Sequence, residues 1–248
     1  MKILVLLRQV PDLVEDLEVD GSGKALDTSE IKFKLNEYDE HALEEAILVK
    51  ERGEATEVVA LTQSGDGSDK VLYTALAKGA TKAALVESSA SASDSLQLAK
   101  SFAEAVKAEG GDMVMVGVQS VDDRDGQLAP IVASSLGMPC VSAVTGVKVS
   151  GNAACIYKEY SGGIMAEFEA DLPVVVGIQA AEQPPRYAPV SKIKQIQDSA
   201  ELGSLSAAAS GASTLEVLSL APPPKGEGAK MLDSGSDLLE VLKELGVA

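Results

Sequence analysis

LNEYDEHALEEAILVKERGEATEVVALTQSG, residues 35–65, is the stretch whose reading decides the fold. In its first half Ala42, Ala46, Ile47 and Val49 recur at helical spacing over residues 38–52, and Gly53 stands where a helix C-cap belongs. Its second half holds a short apolar run, residues 57–61, followed by the glycine-bearing turn QSGDGS at 63–68. Working outward, the same alternation continues. Residues 3–7 read as a buried strand, 68–77 as a helix, 83–86 as a strand, and 93–108 as a helix closed by Gly110 and Gly111. A strand at 113–116 and a helix from about 127 to 136 follow. Short apolar strands joined by helices predict βαβ units on a mostly parallel sheet covered on both faces.

The pattern changes after Pro139. Residues 144–149 and 153–160 flank Ser150-Gly151-Asn152, and 164–170 follow Ser161-Gly162-Gly163, so this region is expected to form antiparallel hairpins. Residues 172–178 read as one more core strand. From Ala181 a polar, proline-bearing loop, EQPPRYAPVSKIKQIQ, leads into an Ala/Ser/Gly-rich stretch that runs through Thr214. Pro222-Pro223-Pro224 is a stiff spacer, and 236–245 a short closing helix. The last 50 or so residues carry no core periodicity and are expected to form an arm that lies on another surface.

Bulk composition excludes several classes. Of 248 residues 46% are apolar, enough for a full core. The net charge of −17, from 21 Lys and Arg against 38 Asp and Glu, argues against duplex nucleic acid as a partner, because phosphate binding needs a concentrated basic face. Cys140 and Cys155 make neither a disulfide framework nor a metal cluster. His41 is the single histidine, which argues against a His-based triad or a multi-His metal site. The apolar run at 3–7 is too short for a signal peptide, and no segment approaches the ~20 apolar residues of a membrane span. A cytoplasmic protein is expected.

In a doubly wound sheet ligands bind beyond the carboxyl ends of the strands. Four segments qualify here: 8–13, 36–39, 63–68 and 119–127. The 63–68 turn could offer backbone N–H groups to an anion at the start of the next helix. Neither GxGxxG nor GxxxxGK[ST] is present. Asp122, Asp123 and Asp125 cluster without the spacing of a calcium loop and are expected to be solvated. Glu44 and Glu45, with Lys50 in reach, are expected to be ordinary solvated helix charges.

Five co-linear stretches resemble the β subunits of electron-transfer flavoproteins. KILVLLRQVPD (2–12) is similar to their opening strand, and LNEYDEHALEEAILVKERG (35–53) to their Asn-Pro-aromatic-Asp/Glu segment. TEVVALTQSG with VLYTALAKGATKAALVE (within 56–87), GVQSVDD with GQLAPIVASSLGMPCVSAV (within 117–144) and PPRYAPVSKIK (184–194) complete the set. The resemblance implies a doubly wound, mostly parallel α/β sheet of the adenine-nucleotide α-hydrolase-like kind, with a β-hairpin elaboration at about 144–170 and an extended C-terminal arm. The division it implies is a nucleotide-binding-like domain over 1–180, a recognition loop over 181–200, and an arm over 201–248 packing on the partner subunit.

It also implies a function: an electron carrier without substrate turnover of its own, paired with an α subunit that holds most of a redox-active FAD. The β subunit would hold AMP, or in electron-bifurcating members a second FAD. The pocket implied here comprises Leu6, Asn36, Glu37, Tyr38, Asp39, Gln63, Gly117, Gln119, Val121, Asp122, Asp125, Gly126 and Gln127. Tyr38 would reach toward the flavin of the α subunit. Arg186, Tyr187, Val190, Lys192 and Lys194 would dock acyl-CoA-type or other flavin dehydrogenases, with Val190 as the apolar anchor. Departures are Glu37 where the family has proline, Val118 where it has Lys or Arg, and Asp125 where bifurcating members have Thr. The rival reading is a stand-alone adenine-nucleotide-binding regulatory module. Adenylyl-transfer catalysis lacks both a phosphate fingerprint and catalytic bases.

Overall fold

Ile3, Val5 and Leu7 belong to one buried cluster and Leu4 and Leu6 to another, so the first strand buries both faces by simple alternation. That strand, β1 (Lys2–Leu7), is the centre of the molecule. The computed structural model describes residues 1–248 except 15, 89, 91–93, 208–214, 225, 227, 230 and 248. After β1 the chain makes a short hairpin excursion, β2 (Gln9–Pro11) paired antiparallel with β3 (Phe33–Leu35), then enters α1 (Glu37–Glu51). There follow β4 (Glu57–Gln63), α2 (Ser68–Lys78), β5 (Lys82–Glu87), α3 (Ser95–Glu109), β6 (Met113–Gly117) and α4 (Leu128–Leu136). Next are β7 (Cys140–Val144), β8 (Gly146–Ser150), β9 (Ala153–Tyr160), β10 (Ile164–Asp171) and β11 (Val174–Ile178). The described part closes with α5 (Val190–Gln197), β12 (Gly203–Ser206) and α6 (Gly235–Glu244).

The main sheet has seven strands in the order β12-β5-β4-β1-β6-β11-β7, and every pairing in it is parallel. Helices α1 and α2 contribute to the buried cluster on one face and α3 and α4 to that on the other, which is the doubly wound arrangement. The three-stranded sheet β10-β9-β8 lays Val147, Ala154 and Ile156 into the α1/α2 cluster. Its outer strand leaves Ile164, Met165 and Phe168 exposed.

Several expectations need correction. Two edge strands are absent from the sequence reading. Cys140–Val144 pairs with β11, and Gly203–Ser206 pairs with β5, so the first residues of the supposed arm complete the sheet. Both are short edge strands, and edges bury too little to show a run of apolar residues. Residues 190–197 form a helix where a loop was expected: Pro189 starts it at the N-cap, and the half-buried Ile193 and Ile196 share one side. The Ala/Ser/Gly-rich stretch at 208–214 and the expected helix start at Ser93 lie outside the described residues.

Glu44 and Glu45 are not solvated. Helix α1 packs on the sheet and also under β8 and residues 181–186, which bury both carboxylates. Each is compensated by donors aimed at it. Glu45 accepts the backbone N–H groups of Val147 at 2.8 Å and Glu182 at 2.9 Å. Burial pushes the Glu45 carboxyl up, and those N–H donors pull partly against it. Lys50 instead donates to the backbone oxygen of Gly79. Among the described residues no helix is long and apolar enough to cross a membrane.

Candidate functional site

Strands β4 and β6 flank β1, and the chain runs outward in opposite directions from them, so the order reverses at β1 and β6. The crevice beyond the carboxyl ends of those strands is where an open α/β sheet places ligands. Arg8, the first turn of α1, the loop 64–67 and the loop 118–127 converge there.

Asp39 ties these parts together. One carboxylate oxygen accepts the Arg8 backbone N–H at 2.8 Å and its Nε at 2.9 Å. The other accepts Arg8 Nη2 at 2.8 Å and the Gly117 backbone N–H at 2.8 Å. Arg8 also reaches the Gly117 backbone oxygen at 3.1 Å and Asp123 at 3.0 Å. Burial alone would lower the guanidinium pKa, but Asp39 and Asp123 outweigh it and the net direction is up. Gly117 is obligatory at this crossing: a Cβ there would sit 2.5 Å from the Tyr38 backbone carbon and 2.6 Å from the Asp39 nitrogen. Arg8 stood in the sequence reading only as the first residue of a candidate loop. It is the buried hub of the site, and the available signal was a cation placed directly after a fully apolar strand.

Asn36 is wholly buried at the N-cap of α1. Its amide nitrogen donates to the Gln119 backbone oxygen at 2.9 Å, which fixes the side-chain orientation. Among the described residues the amide oxygen then has no hydrogen-bond partner. A buried acceptor without a donor is costly, and a ligand N–H or O–H would satisfy it. Gln119 Nε2 lies 3.5 Å from the Tyr38 hydroxyl, so these two side chains meet beside it. Glu37 is exposed on the same turn.

The loop after β6 is ordered by its own acids, not merely solvated. Asp123 accepts the Ser120 N–H at 3.1 Å, and Asp122 accepts the Ser120 hydroxyl. Arg124 takes a left-handed conformation with φ 46°, and Gly126 follows at φ 66°. Asp125 accepts the Ser95 hydroxyl at 2.7 Å and the Gln127 N–H at 3.0 Å. The N-terminus of α4 therefore already holds a carboxylate of this chain, at a place where an external anion would otherwise be favoured.

A cleft of about 750 Å³ opens on the β1/β4 side of the crevice. Leu7, Arg8, Phe33, Gln63 to Gly67, Lys70 and Asp122 are among its lining residues. Gly67, at φ 72°, caps α2 and lines the cleft with Lys70, while the N–H groups of Ser68 and Lys70 donate back to the Gly65 and Gly67 backbone oxygens at 3.2 and 3.1 Å. Of the residues expected to share one pocket, Gln63 and Asp122 line this cleft. Asn36, Tyr38, Gln119 and Gln127 are not among its lining residues. Leu6 lies beneath, wholly inside the α3/α4 cluster, and Val121 is half-buried. Lys70 and the 28–33 part of the excursion were missed by sequence reasoning.

Residues 181–197 form the second candidate surface. Tyr187 is 82% and Val190 74% exposed, with Lys192 and Lys194 exposed on the helix that Val190 begins. Arg186 faces the other way. Its guanidinium donates to Glu44 at 2.9–3.0 Å and to Glu51 at 2.6 and 3.0 Å, and these hydrogen bonds raise its pKa.

Residues 24–222 match the electron transfer flavoprotein domain family. The chain is 38% identical to the electron transfer flavoprotein subunit beta of Methylophilus methylotrophus over 79% of this chain and 75% of that protein. It is 34% identical to the subunit beta of Syntrophomonas wolfei, covering 94% of this chain and 90% of that protein. With the subunit beta of Dictyostelium discoideum it shares 30% identity over 98% of each.

Proposed function

From the premise that this chain belongs to the electron transfer flavoprotein family, as a β subunit, we propose that it completes a heterodimer with an α subunit and relays electrons between flavin dehydrogenases and an acceptor. The observation that carries the heterodimer is apolar surface left open on one chain. Ile164, Met165 and Phe168 on the outer hairpin strand are exposed, as are Leu218, Met231, Leu238 and Leu239 in the C-terminal region. Patches of this kind mark protein interaction surfaces. Residues 208–248 bring no buried core of their own among the described positions, and the α subunit is the surface that covers them.

Flavin supplies reversible electron storage when bound, and most of it belongs to the α subunit. The task of this chain is to bind and position. Its crevice takes the adenylate part of AMP or of a second FAD. Asn36 Oδ1, the orphan acceptor, receives a donor from the ligand, with Tyr38 and Gln119 beside it. Gln63 and the loops 64–67 and 117–127 form the walls. Asp125 opposes a phosphate at the start of α4, and Val118 offers no cation to offset it, so a phosphate at that end of the crevice is held weakly; Lys70 is a cation lining the cleft. No side chain serves as acid, base or nucleophile. Tyr187 and Val190, with Lys192 and Lys194, dock the dehydrogenase.

Co-expression with the α subunit, followed by extraction of flavin and adenylate, tests this reading. The expected heterodimer is yellow, and the chain expressed alone is colourless or poorly soluble. A soluble monomer carrying one flavin by itself would assign FAD to the β crevice and sink the AMP form of the proposal.

A further inference from the structure

Residues 181–190 lack regular secondary structure until α5 begins, yet they are tied down at unusual density. Three of their backbone N–H groups donate to side chains of α1: Ala181 to His41 Nδ1 at 3.1 Å, Glu182 to Glu45 at 2.9 Å, and Arg186 to Glu44 at 2.9 Å. The backbone oxygen of Arg186 accepts the ammonium of Lys78, which is itself buried and paired with Glu40. Arg186 is thus held through its nitrogen, its oxygen and its guanidinium, and the next residue is the exposed Tyr187. Burying Glu44 and Lys78 to secure a surface segment is a poor route to stability, because desolvation offsets much of the attraction. Such a network is better suited to setting one geometry.

We propose that Glu44, Lys78 and Arg186 form a clamp that pre-orders the docking segment, making them positioning residues for electron exchange with the partner flavoprotein. The inference rests on the reading of Tyr187 and Val190 as docking anchors. Beyond the inward-turned Arg186, residues 187–194 carry two exposed cations, Lys192 and Lys194, and no acid, although the net charge of the chain is −17. The partner face is therefore an apolar pocket with an acidic rim. A flexible segment would lose conformational entropy each time it docked, and the clamp removes that loss beforehand. Arg186 spends its planar fork on Glu44 and Glu51 inside this chain, a geometry that lysine cannot copy.

The test uses the co-expressed heterodimer as electron acceptor for a purified flavin dehydrogenase, with kcat and KM for the heterodimer measured for wild type, Val190→Ala, Glu44→Gln, Arg186→Lys and the double variant Glu44→Gln/Val190→Ala. Val190→Ala is expected to raise KM about fivefold. Glu44→Gln and Arg186→Lys should raise KM severalfold with flavin content and kcat unchanged. The double variant should fall short of the product of the single effects, because coupled residues are not additive. Wild-type KM in Glu44→Gln and Arg186→Lys, beside a raised KM in Val190→Ala, overturns the clamp and leaves the docking reading standing. Unchanged KM in Val190→Ala overturns the docking reading itself. Should Glu44→Gln fail to assemble, Arg186→Lys decides together with hydrogen exchange: faster exchange at the amides of 181, 182 and 186 with unaltered KM overturns the proposal.

Discussion

The two halves of helix α1 use carboxylates in the same way and to different ends. In its first turn Asp39 takes four hydrogen bonds from Arg8 and Gly117 and is wholly buried. Farther along, Glu44 and Glu45 take their donors from residues 147, 182 and 186. Asp39 joins the ends of the central strands β1 and β6, so the body cannot form its crevice without it. Glu44 joins an outer segment to a helix that the sheet already supports. What a buried carboxylate contributes thus depends on the structural rank of the group at the other end of its bonds.

Asp39→Ala should show the largest effect. It leaves the Arg8 guanidinium buried without its main partner, and breaking such a pair costs roughly 3–5 kcal/mol. A fall in Tm of about 10 °C is expected by calorimetry. A change of only one or two degrees would erase the contrast with Glu44. Gly117→Ala comes next, because its Cβ collides with main-chain atoms of Tyr38 and Asp39 that cannot swing aside. Overpacking of this kind costs about 1–3 kcal/mol, and nucleotide content should fall with stability.

Asp125→Thr sharpens the comparison at the ligand. The substitution removes a negative charge at the start of α4, and AMP should bind about fivefold more tightly, a shift of ~1 kcal/mol, by calorimetry of the nucleotide-free heterodimer. Weaker binding would mean that the bonds of Asp125 to Ser95 and Gln127 order the site, which would outweigh its charge.

The smallest effects are in the pH dependence, where two carboxylates of the second half of α1 oppose each other. Hydrogen bonding from Arg186 lowers the Glu51 pKa below 4.5, so its contribution is present above that value and lost as pH falls through the folded pKa. Burial raises the Glu45 pKa above 4.5, so its contribution is complete below that value and is lost as pH rises through the folded pKa. As buffer pH falls, the urea-midpoint difference between wild type and Glu51→Gln should shrink, while that between wild type and Glu45→Gln shifts toward wild type. Parallel trends would show that the two groups share one environment.

The amino-acid sequence by itself determined the α/β class, the order of the inner strands and helices, and the family. The class and the element order rest on local alternation, and the family on the resemblance of five co-linear stretches. Ile3 to Leu7 bury both faces of their strand, and Gly53, Gly110 and Gly137 stand where α1, α3 and α4 stop. Val190 was legible as an apolar docking anchor only through the family resemblance, and the structure leaves it and Tyr187 exposed. Only the tertiary structure decided that Arg8 is a hub, that Glu44 and Glu45 are buried, that Arg186 turns inward, and that residues 203–206 complete the sheet. Each of these depends on partners 31 to 142 positions away in the chain. The sign of a charged residue's contribution follows from what desolvates it and what donates to it, and no window of sequence contains both.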